Sequence, residues 1–185
     1  MQYLAVDVQY NDEVGYATAA GVSFGTVESD KVREEHVVVT ENPARYVSGE
    51  FYRRELPCIL RLLELFQVQA NTIIVDGYVD LGPKPGMGRY LYNALEQDIP
   101  IIGVAKNPHI AAKTAIPVLR GMSKKPLYVT AAGMDLDSAC AFIIKMDGKH
   151  RIPTMLKRVD QLARNPRRGS FRYGQGADLT KSKLR

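Results

Sequence analysis

The chain has 185 residues, 45% of them hydrophobic, which suits one globular domain able to bury a core of its own. No run of about 18 apolar residues is present to span a membrane, and the opening residues Met1 to Asp7 lack the basic-then-apolar layout of a signal peptide; a cytoplasmic protein without a membrane partner is expected, with a monomer favoured. The net charge of +5 is local: residues 165–185 carry six cations and one anion, so residues 1–164 sum to zero, which excludes a broad basic surface on the body.

In chain order, Leu4, Val6 and Val8 alternate with Tyr3, Ala5 and Asp7, and this period of two predicts a first strand. The small, β-prone stretch from Val14 to Phe24 predicts a second, and Glu35 to Thr40, with three consecutive valines, a third. Short polar joints between them predict an antiparallel meander. From Glu50 to Gln67 the spacing becomes helical, with Phe51, Ile59, Leu62 and Phe66 on one stripe. Ile73-Ile74-Val75 reads as a buried strand ending at Asp76-Gly77, and Gly86 to Gln97 as a helix weakened by two glycines. Ile101 to Ala105 reads as another buried strand, ending at Lys106. Strand, helix and strand, with both strands wholly apolar, predict a right-handed crossover and parallel pairing. Leu127 to Val129 predicts a late strand, Asp135 caps a helix running to about Met146, and a last helix covers Thr154 to Arg164. Cys58 and Cys140 both fall in apolar, helix-like stretches and read as buried free thiols.

The expected architecture is α/β: a mixed sheet, antiparallel meander first and parallel strands after, flanked by helices over residues 1–164. It is compatible with a ribonuclease-H-like fold. Residues 165–185 are expected to form a basic, flexible tail that either touches nucleic-acid phosphates or is a solvated end.

Four acids occupy unusual places. Asp7 lies inside an apolar strand, where an unpaired carboxylate is costly. Glu55 lies on the apolar stripe of its helix, Asp76 ends a buried strand, and Asp160 follows Val159 on the inward side of the last helix. Each has a simpler reading: a solvent-facing Asp7, a Glu55 paired with Arg54 or Arg61, an Asp-Gly turn at Asp76, a flank position at Asp160. In open α/β sheets, however, sites collect outside the carboxyl ends of strands, and the parallel crossover would set Lys106 beside Asp76. Carboxylates converging with a lysine suit Mg²⁺ and phosphate chemistry.

These residues resemble endonuclease V. Val6-Asp7-Val8 is similar to the family's first-strand aspartate motif. Tyr46-Val47-Ser48-Gly49 through Phe51, Arg54 and Glu55 resembles Y-I-P-G-x-x-x-F-R-E, with Tyr46 and Glu55 nine positions apart as in that motif. Ile74-Val75-Asp76-Gly77 with Pro83-Lys84 resembles V-x-D-G and its later Pro-basic pair, Pro100 to Lys106 resembles P-T-I-G-V-A-K, and Arg151-Ile152-Pro153 with Asp160 resembles the last motif. The resemblance runs from about Leu4 to Arg164. It implies a DNA-repair nuclease with Mg²⁺ or Mn²⁺ held by Asp7, Glu55, Asp76 and Asp160, and with Lys106 near the scissile phosphate. It further implies substrate contacts at Tyr46, Gly49, Gly77, Lys84 and Lys106, Tyr46 belonging to a loop that wedges beside the damaged base. The chain departs from the pattern at Gly82, where the family has histidine, at Ser48 for proline, and at Ala131-Ala132-Gly133 for a Gly-His.

The function expected is a metal-dependent endonuclease nicking deaminated, inosine-like or irregular DNA or RNA, with reduced lesion selectivity that histidine at 82 and proline at 48 would sharpen. The rival readings are a non-catalytic nucleic-acid-binding relative and another metal-dependent phosphoryl-transfer nuclease on the same fold.

Overall fold

A computed structural model describes residues 2–13, 15–41, 52–67 and 69–165. The meander comprises β1 (Tyr3–Asn11), β2 (Tyr16–Phe24) and β3 (Val32–Glu41), all antiparallel. Helix α1 (Tyr52–Leu63) leads to β4 (Thr72–Asp76), the two-residue strands β5 (Asp80–Leu81) and β6 (Lys84–Pro85), α2 (Met87–Ala94) and β7 (Ile101–Ala105). Strands β8 (Ile116–Val118) and β9 (Leu127–Ala132) precede α3 (Leu136–Lys145) and α4 (Thr154–Arg164).

Seven strands make one sheet in the order β3-β2-β1-β4-β7-β9-β8. β1, β4 and β7 run parallel, as the apolar strand–helix–strand pattern predicts, while β9 lies antiparallel on β7 and β8 antiparallel on β9. The sheet is therefore mixed on both sides of its parallel centre. β8 and the β5–β6 hairpin have no counterpart in the sequence reading. Two- and three-residue strands are too short to display a period, and β8 carries Pro117, tolerated because this strand is at the sheet edge. Helix α2 stops three residues before its predicted end, where Glu96 and Gln97 adopt φ of 55° and 66° and turn the chain. Asp135 caps α3 by accepting from the Ser138 N–H at 2.8 Å.

Strand alternation sorts the core into two layers. Ala5, Ile74, Ile102 and Val104 pack with Ile143 of α3 and with Met155, Val159 and Leu162 of α4. Leu4, Val6, Val8, Ile73, Val75 and Ile101 face the other way, onto Ile59 and Leu62 of α1 and Leu91 of α2. Cys58 and Cys140 are buried free thiols, as their apolar settings predict. Among the described residues no helix is long and apolar enough to cross a membrane.

Candidate active site

Register and parity together bring the acids to one edge. In the parallel β1–β4 pair Val6 stands opposite Val75, so the next residues, Asp7 and Asp76, are neighbours on the same face. In β4–β7, Asp76 stands opposite Val104. Two residues on, Lys106 leaves the strand on that same face. It is the face covered by α4, which supplies Asp160 one turn beyond Leu156. One carboxylate oxygen from each of Asp7, Asp76 and Asp160 lies within 4.8 Å of the other two. Lys106 Nζ donates to Asp76 at 2.6 Å and to Asp160 at 3.4 Å.

Glu55 reaches this edge from the opposite face. It stands in the first turn of α1, which packs on the other layer, and is not one of the three acids within 4.8 Å. It still feels the charges of Asp7 and Asp76. Arg54, buried against the Tyr10 ring, binds Asp12 at 2.5 Å.

The electrostatics are those of crowded negative charge. Burial, then the charge of Asp76, pushes Asp7 up to about 6. Burial, then Asp7 and Asp76, pushes Glu55 up to about 8. Asp160 goes the other way: partial burial would raise it, but Arg164, bonded to both its oxygens at 2.9 and 3.1 Å, and Lys106 hold it below the usual carboxylate range. Partial burial works against the Lys106 ammonium, but Asp76, Asp160 and Asp7 outweigh it and hold the group above its ordinary value. The two most buried acids thus lack enough positive charge around them, a deficit that a hard divalent cation with oxygen ligands fits.

Asp76 stands where two cavities meet. On the α4 side it lines a hollow with Asp7, Lys106 and Asp160. On the α1–α2 side it lines an open cleft of about 260 Å³ with Glu55, Gly77, Tyr78, Tyr90 and His109. The chain can turn across the strand end because Gly103 has no side chain: a Cβ there would lie 2.8 Å from both the Gly77 carbonyl oxygen and the Val79 nitrogen. The Val79 N–H is then held by Thr130 Oγ1 at 2.9 Å.

Of the other residues singled out from sequence, Gly77 lines the cleft with φ 118°. Lys84 is exposed on β6, next to the cleft-lining Pro85. Tyr46 and Gly49 lie outside the described residues. Sequence reasoning passed over Arg164, whose signal was its i,i+4 spacing from Asp160. It also passed over the anchoring role of Arg151, whose guanidinium donates to the carbonyls of Lys106 and Pro126, and His109, which no motif marks.

A mixed sheet with acids gathered at the carboxyl edge of its central strands defines a ribonuclease-H-like nuclease domain. Residues 2–121 match the sequence profile of endonuclease V. Endonuclease V of Streptomyces avermitilis is 32% identical over 180 residues, covering 86% of this chain and 77% of that protein. Its crystal structure superposes with a TM-score of 0.74 at 30% identity, over 91% of this chain and 82% of that one. The chain belongs to the endonuclease V family. The same fold is seen at 19% identity in Ciona intestinalis endonuclease V, solved with a 24mer DNA containing an inosine followed by a ribo-adenosine; the TM-score is 0.76, over 90% of this chain and 85% of that one.

Proposed function

We propose that this family nuclease is a divalent-metal-dependent endonuclease that nicks DNA or RNA beside a deaminated, inosine-like base or an irregular structure, with Mg²⁺ or Mn²⁺ as its ion. The observation that carries the reading is the triad Asp7, Asp76 and Asp160, three carboxylates within 4.8 Å of one another at the carboxyl edge of the parallel strands. These three would hold the ion, with Glu55 adding negative charge from the α1 side. When bound, a divalent cation supplies Lewis-acid polarisation of the phosphodiester and acidifies the attacking water. The chain's own part is positional and electrostatic. Lys106, free to exchange its carboxylate partners for a phosphate oxygen, neutralises charge that grows on the phosphate. Asp160, clamped by Arg164, stays ionised, and Arg151 holds the backbone that carries Lys106. Gly77 and the cleft beside Asp76 receive the nucleotide next to the scissile bond, with Lys84 at the rim, and Tyr46 and Gly49, which precede α1 in sequence, contribute to binding it. The inosine-containing DNA held by the Ciona protein supports this choice of substrate.

The test is cleavage of labelled inosine, uracil, mismatched, flap and plain strands, each with Mg²⁺, with Mn²⁺ and with chelator. Metal-dependent nicking strongest on inosine is expected. Asp76→Asn, which removes one charge at nearly constant shape, and Lys106→Ala should each lower kcat by roughly 10²–10³-fold, the order found for a lost preorganised charge-stabilising group. Undiminished cleavage in chelator, or by Asp76→Asn, would overturn the proposal.

A further inference from the structure

The cleft on the α1–α2 side has walls that suit a nucleobase better than a phosphate. Tyr78, Leu81, Met87 and Tyr90 line it, and its two acids, Glu55 and Asp76, offer a phosphate no positive charge. The turn after Lys106 adds the imidazole-bearing residue His109 to the lining.

That imidazole has a defined hydrogen-bonding sense. The Ala111 N–H donates to His109 Nδ1 at 3.2 Å, and the Ala112 N–H donates to the His109 carbonyl at 3.0 Å. A neutral imidazole whose Nδ1 accepts carries its proton on Nε2, so the other ring nitrogen is a donor. The turn itself is braced. Tyr78 Oη donates to the Asn107 carbonyl at 2.6 Å, and the Tyr78 and His109 rings meet edge-on at 6.1 Å. From the opposite side the Ala111 carbonyl presses on Gly82, where a Cβ would lie 2.7 Å from it. The loop after β4 thus offers no side chain at this point, and the turn after β7 offers His109.

We propose that His109 is a substrate-binding, specificity-determining residue. Its Nε2–H donates to the 6-oxygen of a purine seated in this cleft, favouring 6-oxopurines such as hypoxanthine over adenine, whose 6-amino group would set donor against donor. The assignment rests on the cleft being the nucleotide site proposed above. A neutral hydrogen bond contributes on the order of tenfold in affinity or rate.

The experiment compares wild type, His109→Ala and His109→Phe on oligonucleotides carrying one inosine, one unsubstituted purine or one adenosine at the same position. His109→Phe keeps a flat ring and removes the donor, so it separates hydrogen bonding from packing. A thermal melt of each variant checks folding of this exposed position. The expected result is a drop of about tenfold in the inosine-to-purine ratio of kcat/KM for both variants. A wild-type ratio in either variant overturns the assignment. Should wild type cut none of the strands, the nuclease proposal fails on its own. The role of His109 is then read from fluorescence-anisotropy affinities for the same oligonucleotides with Ca²⁺, where a wild-type preference for inosine lost in both variants supports it and the absence of such a preference overturns it.

Discussion

Gly82 is the residue at which family pattern and local geometry pull apart. Similarity alone suggests that histidine there would sharpen inosine preference. The backbone at 82 has φ 65°, and a Cβ would stand 2.7 Å from the Ala111 carbonyl oxygen. A non-glycine residue in the left-handed region costs about 1–3 kcal/mol, and here the clash is with backbone, which cannot rotate away. Gly82→His should therefore lower Tm by several degrees, at roughly 2–4 °C per kcal/mol for a chain of this size, and blunt inosine selectivity by displacing the His109 turn. A calorimetric scan with parallel cleavage assays checks both; a variant as stable as wild type with sharper selectivity would refute the steric argument. Asp7 and Asp76 are the opposite case. The strand position of Asp7 was readable from alternation and that of Asp76 from the apolar run it ends, and one line of register, Val6 opposite Val75, makes them neighbours.

At the scale of elements, the segment following β7 depends on an anchor remote in sequence. Arg151 lies in the loop before α4, yet its guanidinium joins the carbonyl of Lys106 to that of Pro126, which is 2.7 Å away, just ahead of β9. The hook sets where Lys106 leaves the sheet. Arg151→Ala should leave the core packing intact and lower cleavage by about 10²-fold, the order expected when a reacting group is misplaced by about 1 Å. The loss should appear mainly in kcat, because Arg151 touches backbone on the protein side of the site. Unchanged kcat in single-turnover assays would show that the strands alone position Lys106. The helices α1 and α4 approach the strand edge from opposite faces, so Glu55 and Asp160 reach Asp76 from different layers. Helical periodicity marks each as sitting near a buried stripe; it carries no statement of which layer that stripe covers.

For the whole molecule, the acid cluster makes stability depend on pH, and the proposed metal would act on the same charges. Asp7 is raised from 3.8 to about 6 and Glu55 from 4.5 to about 8. The folded chain therefore binds these protons more tightly than the unfolded chain, and without metal its stability falls as pH rises from about 4 to about 8, with the full loss present above that window. A divalent ion offsets the repulsion, so added Mg²⁺ should raise Tm more at about pH 8 than at about pH 5, where proton and ion compete. Melts with Mg²⁺ and with chelator at both pH values test this; an equal metal shift at both would place the ion elsewhere. The six longer strands, their parallel centre, the late helices and the endonuclease V motifs were legible in the sequence, because alternation, apolar runs and capping are local signals. Only the tertiary structure decided the rest. The antiparallel docking of β9 on β7, the edge strand β8, the clamp of Arg164 on Asp160, the hook of Arg151 and the turn that carries His109 into the cleft all join residues that no local period connects. The physical reason is that hydrophobic patterning states which face of each element is buried, whereas register, sheet order and close backbone approach, as at Gly82 and Gly103, arise only when the elements pack together.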